Sequence, residues 1–281
     1  MKLHAGEVDI DAALVEGLVR EQFPHLLGSI REVRSTGTVN AIYRLGERHY
    51  VRLPRLAHWV TDLELEWTWL PRLAPRVSLR VPVPVALGEP TEAYPFRWAV
   101  YGWIEGAPYD GEDEPAAAEA LAGFVAELRA IGPHPGAPRA GRRPLAELAD
   151  ETRELLSGAS LEAWERALEA PVWDGSEPVW IHTDLLRPNI LVDDGRVQAV
   201  IDFGGVGMGD PAADVIPAWA VFGPAGREVF RRALEVDDGV WERARGYALH
   251  QAAMIVPYYM RTNPGFVVHA RRTIEQVLAS S

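Results

Sequence analysis

The chain has 281 residues, 48% hydrophobic and 24% charged, which is enough apolar material for one large domain or two lobes and too much for a disordered chain. A formal net charge of −12 argues against a nucleic-acid or anionic-membrane partner and is compatible with a cationic ligand. The absence of cysteine excludes disulfides, thiolate metal sites and cysteine nucleophiles, and it fits a cytoplasmic protein.

The N-terminus, MKLHAGEVDIDAALVEG, carries acids where a signal peptide needs a basic region and an apolar run. Asp9 or Asp11 can cap a first helix, in which Ile10, Leu14, Val15, Leu18 and Val19 recur at helical spacing before Pro24. Three short runs follow, Ile30 to Arg34, Asn40 to Leu45 and His49 to Leu53. They are separated by Ser35-Thr-Gly-Thr38 and Gly46-Glu-Arg48, the pattern of an antiparallel meander. Trp59 to Leu70 is expected to be a helix. The proline-rich run Val81 to Leu87 suits an extended edge segment, and Trp98 to Ile104 a buried strand. A boundary is expected at Glu105-Gly-Ala-Pro108, giving lobes 1–105 and 106–281.

Beyond it helices dominate: Ala116 to Ile131, Leu145 to Leu156, Leu161 to Leu168, Pro211 to Phe222, Arg227 to Leu234, Val240 to Tyr259 and Pro264 to Leu278. Strands first and helices second make an α+β chain of two lobes. The longest nearly apolar runs, such as Val215 to Ala225, are too short to span a bilayer and contain proline.

One stretch in the second part concentrates the chemistry: Trp180 to Asp214, WIHTDLLRPNILVDDGRVQAVIDFGGVGMGDPAAD. Two apolar runs, Asn189 to Val192 and Val197 to Ile201, flank the turn signal Asp193-Asp-Gly195 and form a hairpin. That hairpin is expected to bring Asn189 and Asp202 together. An amide oxygen and a carboxylate are hard ligands suited to Mg²⁺. Asp184 lies one tight loop earlier, placed to accept a proton.

His182-Thr-Asp184-Leu-Leu-Arg-Pro-Asn189 followed by Ile201-Asp-Phe-Gly204 resembles the catalytic loop and metal motif of protein-kinase-like phosphotransferases. His-x-Asp, with Gly209-Asp-Pro211 to Asp214 following, is more specific: it resembles the aminoglycoside phosphotransferase family, which includes macrolide and other antibiotic kinases and several metabolite kinases. The likeness runs from about Ser29 to about Tyr259. It implies a bilobal protein-kinase-like fold, with an antiparallel sheet plus helix in the N-terminal lobe and a larger, mostly helical C-terminal lobe. The activity it implies is transfer of the γ-phosphate of ATP or GTP to a hydroxyl of a small molecule, by a monomer or homodimer.

Residue by residue, the resemblance makes Asp184 the base, and Asn189 and Asp202 the ligands of Mg²⁺ on the nucleotide. His182, Asp210 and Asp214 become framework residues. Arg52 takes the place of the strand Lys that grips phosphate, with Glu66 as its ion-pair partner. Ser35 and Thr36, in Ser35-Thr-Gly-Thr38, belong to the phosphate-covering loop. Tyr101, Gly102 and Trp103 form the hinge whose backbone meets adenine. Two departures stand out: Arg for Lys, a wider fork of different geometry, and a phosphate loop with a single glycine.

On the residues alone, Arg52 could also be a solvent-facing strand residue, and Glu64 competes with Glu66. Arg187 either faces the γ-phosphate or offsets nearby carboxylates. The acceptor is open between an aminoglycoside-like or macrolide-like antibiotic and a metabolite such as an amino sugar, amino alcohol or nucleoside-like compound. A nucleotide-binding pseudokinase is the remaining reading. A protein kinase is disfavoured, because no A-P-E follows the D-F-G and Asp214 comes only ten residues after Gly204.

Overall fold

The computed structural model describes residues 6–33 and 39–280. They form two compact units. One comprises the chain through residue 75 with 80–105 and 201–204; the other comprises 76–79, 106–200 and 205 onward.

In the first unit Asp11 caps α1 (Ala12–Gln22), its carboxylate accepting from the Leu14 N–H at 2.8 Å. There follow β1 (Ile30–Glu32), β2 (Asn40–Leu45), β3 (His49–Pro54), α2 (Val60–Leu73), β4 (Pro84–Gly88) and β5 (Trp98–Gly102). The strands make one antiparallel sheet in the order β1-β2-β3-β5-β4. The proline-rich run is thus an edge strand, where a missing N–H costs no ladder bond.

Period-two alternation decides what each face of this sheet does. Val51 and Leu53 join Val15, Leu18 and Val19 of α1, with Trp98 and Val100, in one buried cluster. Each such side chain contributes about 1.5–3 kcal/mol by leaving water. Arg52 lies between Val51 and Leu53 and must point the other way, toward α2, whose Leu63, Glu66 and Leu70 are buried. At Gly88 a Cβ would lie 2.0 Å from the Trp98 indole, so only glycine lets that ring close over the edge strand.

The second unit contains β6 (Ala107–Pro108), α3 (Pro115–Ala130), α4 (Ala149–Arg153), α5 (Ala159–Ala167), β7 (Val179–Ile181), β8 (Ile190–Asp193), β9 (Arg196–Val200), β10 (Gly207–Gly209), α6 (Pro217–Ala220), α7 (Pro224–Ala233), α8 (Asp238–Tyr259) and α9 (Pro264–Leu278). β8 and β9 form the expected hairpin, Ile190 opposite Val200, with β6 beside β8. Asp194 and Gly195 turn it with φ of 48° and 70°, the left-handed pair of a tight hairpin.

Two expected helices are broken. Leu145 to Leu156 is a 3₁₀ turn (Leu145–Leu148) followed by the short α4, with the Thr152 hydroxyl donating back to the Leu148 carbonyl at 2.7 Å. Pro211 to Phe222 is a 3₁₀ turn (Pro211–Val215) and then α6, because Pro217 has no N–H to continue one ladder. The pairing of β7 with β10 had no signal in Gly207-Met-Gly209; those glycines admit the backbone of Pro138 and Ala140, and a Cβ on Gly209 would sit 2.2 Å from the Ala140 carbonyl oxygen. Among the described residues no helix is long and apolar enough to cross a membrane.

Candidate active site

The loop after β7 is held from beneath by Asp214, which is fully buried. Its carboxylate accepts from the N–H of His182 at 2.6 Å and of Thr183 at 2.8 Å. Burial raises the pKa of Asp214, and the His182 side chain and these N–H groups pull against that rise. Thr183 has φ +77°, an outlier for a β-branched residue, and the surroundings over-determine it. Besides the Asp214 bond, its carbonyl accepts from Arg142 Nη2 at 3.2 Å. His182 is buried, and its Nδ1 accepts from the Asp184 N–H at 3.2 Å. Asp210 caps the 3₁₀ turn through Ala212 N at 2.9 Å and is gripped by both ends of the Arg243 guanidinium at 2.9 and 3.0 Å. His182, Asp210 and Asp214 therefore all brace backbone.

Asp184 itself is half-buried, and each carboxylate oxygen receives an amide. Asn189 Nδ2 donates to Oδ2 at 2.9 Å and Gln251 Nε2, from α8, donates to Oδ1 at 2.9 Å. Asn189 Nδ2 also donates to the Asp184 carbonyl at 3.0 Å, so its Oδ1 turns away as an acceptor. Arg187 does not present its charge at the surface: it is buried, donates to the Val221 carbonyl at 2.6 Å and lies 5.3 Å from the Tyr109 ring centroid.

In the first unit Arg52 is buried and serves three acceptors. Nη1 reaches Glu66 Oε1 at 2.7 Å and Nη2 reaches Asp202 Oδ1 at 3.1 Å. With its amide oxygen facing the guanidinium, Asn40 accepts from Nε and Nη2 at 2.9 Å. Burial alone would lower the Arg52 pKa, but Glu66 and Asp202 outweigh it and hold it well above the ordinary value. Glu66 is fully buried and also accepts from Phe203 N at 2.8 Å and Tyr101 OH at 2.9 Å. Glu64 instead faces Arg97 at 3.6 Å, at the surface. Asp202 has φ +67°, which Asp tolerates, and its side chain is 48% exposed.

Asn189 and Asp202 belong to different units. Tyr101 is stacked on Tyr50 and spends its hydroxyl on Glu66. The N–H groups of Gly102 and Trp103 donate to the carbonyls of Val83 (3.0 Å) and Arg48 (2.8 Å), so neither N–H is spare for a base. Ser35 and Thr36 lie outside the described residues. Gln251, Arg142, Asn40 and Arg243 were missed in the sequence, since none stands in a motif and each meets its partner only through tertiary packing.

The chain is matched by the model of the phosphotransferase enzyme family (APH) over residues 30–248. No curated protein matches it in sequence. Among solved structures it is similar to the GDP and kanamycin complex of APH(2″)-IIIa, at 18% identity and TM-score 0.73, over 94% of this chain and 98% of that one. It is similar to apo macrolide 2′-phosphotransferase MphH from Brachybacterium faecium, at 20% identity and TM-score 0.65, over 95% and 97%. It is also similar to ADP-bound aminoglycoside phosphotransferase APH(2″)-Ib, at 17% identity and TM-score 0.61, over 97% and 98%. At these identities the likeness is one of fold, the bilobal α+β kinase-like fold. With its own family model matched across most of its length, the chain belongs to the APH phosphotransferase enzyme family and is a small-molecule phosphotransferase.

Proposed function

We propose that the chain transfers the γ-phosphoryl group of ATP or GTP, taken as the magnesium complex, to an alcohol of a small antibiotic-like molecule, with Asp184 as base. The observation that carries this reading is the Asp184 carboxylate, half-buried and oriented by two neutral amides on a loop braced by Asp214. Neutral donors fix its direction and leave it able to receive the acceptor's proton. The acceptor oxygen bonds to the γ-phosphorus as the bond to the β-phosphate oxygen breaks, its proton passes to Asp184, and the nucleoside diphosphate leaves. Little covalent work falls to the protein; placement and charge compensation dominate.

Taken one by one, the two expected donors have the oxygen chemistry that magnesium takes. Asn189 turns Oδ1 outward because its Nδ2 is engaged, and Asp202 keeps a half-exposed carboxylate. When bound, the ion would supply charge compensation on the phosphates. Arg52, paired to Glu66, would contribute positive charge to the nucleotide's side. In this reading the smaller unit binds nucleotide, and the larger carries the base and the acceptor. Nucleotide use is supported by the relatives solved with GDP and ADP. The acceptor class draws support from relatives whose names give aminoglycosides and macrolides.

The test is ATP and GTP consumption over a panel of hydroxylated antibiotics and amino sugars, for wild type and Asp184→Ala. The variant should lose turnover by at least about 10³-fold while keeping Mg·ATP affinity, since proton transfer and alignment are both removed. Unchanged turnover in Asp184→Ala would sink the assignment.

A further inference from the structure

Gln251 stands at a junction. Its Nε2 holds Asp184, so its Oε1 faces away from the loop, and that oxygen is buried with no hydrogen-bond partner. It is an acceptor awaiting a donor. It borders a cleft between α8 and α9, walled by Leu186, Ile255 and Phe266, with Arg187, His269 and Thr273 as polar members and no carboxylate. The cleft is shallow: its water-accessible volume is ≈ 20 Å³, room for about one water. A ligand would therefore lie along the face rather than be engulfed.

That face has a defined character. Gln251, Met254, Ile255 and Tyr258 fall at i, i+3, i+4 and i+7 on α8, a single stripe that begins at the base. Met254 and Tyr258 are 42% and 59% exposed, although exposed large apolar residues usually scatter singly. Tyr259 continues the aromatic wall, its ring 5.3 Å from Phe266 on α9. From Arg243 through Ile274 there is no acidic residue, and the arginines at the start of that run are spent, Arg243 on Asp210 and Arg245 on Glu242, so the stripe itself offers neither a carboxylate nor a free cation. The net charge of −12 belongs to the molecule as a whole, but exposed charges act over only about 8–10 Å at physiological salt, so the local apolar lining governs the acceptor.

Building on the phosphotransferase reading, we infer that the stripe from Gln251 to Tyr258 is the acceptor wall, and that it selects a predominantly apolar alcohol without clustered ammonium groups, Gln251 Oε1 receiving a donor of that acceptor. An aminoglycoside-type polycation would meet exposed hydrocarbon, and beyond the base itself the cleft lining holds no carboxylate to pair its charges.

The test compares kcat/KM for erythromycin and other apolar macrolactone and terpenoid alcohols with kanamycin and other polycationic aminoglycosides, Mg·ATP binding being measured in parallel. The best acceptor should be an apolar alcohol, at least about tenfold above any polycation. Tyr258→Asp, at an exposed site, and Ile255→Asp should each raise its KM at least about tenfold with kcat and Mg·ATP affinity unchanged. Gln251→Met should lower kcat, because Asp184 loses one of the two amides that orient it, and should raise the KM of the best acceptor, because the acceptor loses the Oε1 partner. A polycation as best acceptor, or an unmoved KM in Tyr258→Asp, overturns the acceptor wall and leaves the phosphotransferase intact. Failure to consume ATP with either set, together with no Mg·ATP binding, takes down both.

Discussion

Arg52 offers the sharpest test of the reasoning, because its worth can be worked out from its partners. The guanidinium is nearly sealed from solvent and bonds Glu66, which is wholly so, along with Asp202 and Asn40. Arg52→Met leaves the buried Glu66 carboxylate without its counter-charge, a loss of about 3–5 kcal/mol. For a protein of this size that corresponds to a fall in Tm of roughly 10 °C. Arg52→Lys retains the charge, but one ammonium cannot reach three acceptors at once, so about 1–3 kcal/mol should go. The decisive arm is Arg52→Met with Glu66→Met. A buried pair replaced together by apolar groups is often near neutral, so the double variant should recover at least about 2 kcal/mol relative to the sum of the single losses. Thermal unfolding without nucleotide reads all five proteins (wild type, the three single variants Arg52→Met, Arg52→Lys and Glu66→Met, and the double variant), since a bound ligand would itself raise Tm. A shift under about 2 °C in Arg52→Met, or strict additivity in the double variant, would refute the account.

Other expectations follow from the same geometry. Asp214→Asn leaves one amide oxygen for two N–H donors and frees the strained Thr183, so kcat should fall about 10–100-fold with Mg·ATP affinity unchanged; steady-state kinetics and calorimetry check it, and an unaltered kcat would contradict it. Asp202→Ala should abolish the magnesium dependence of nucleotide binding, and a titration with wild-type Mg·ATP affinity would count against the metal assignment. His250 is buried against Thr152, and burial, aided by Arg142 and Arg143 and opposed by Glu151, lowers its pKa to about 4. A depressed folded-state value means that its contribution is complete above the unfolded pKa near 6.5 and is lost as pH falls toward 4. Wild type should therefore lose about 1–2 kcal/mol more than His250→Gln between pH 7.5 and 5. Parallel Tm curves for the two would dismiss that linkage.

What could be read in advance was whatever a short window encodes. Asp194-Gly195 between two apolar runs specifies the β8–β9 hairpin, and Pro84 in a β pattern specifies an edge. The alternation Val51-Arg52-Leu53 put Arg52 on its own face, though the window could not say whether that face met water or α2. What escaped was set by partners distant in the chain. Gln251 reaches Asp184 across 67 positions, and Asn40 meets Arg52 only because β2 and β3 pair. Gly207-Met-Gly209 carries no strand propensity and becomes a strand because β7 and the Pro138–Ala140 backbone demand close approach. The long helices at Leu145 and Pro211 failed for local reasons, a hydroxyl bonding back to the chain and a proline lacking a donor, which amphipathic spacing does not register.

The membership of residues 201–204 in the first unit has a consequence for how the chain is made. The Phe203 N–H that satisfies Glu66, and the Asp202 carboxylate that engages Arg52, are synthesised about a hundred residues after β5 leaves the ribosome. At 5–20 residues per second that is roughly 5–20 s during which the nascent sheet and α2 hold an ion pair with part of its shell missing. An excised 1–105 fragment would stay in that condition permanently.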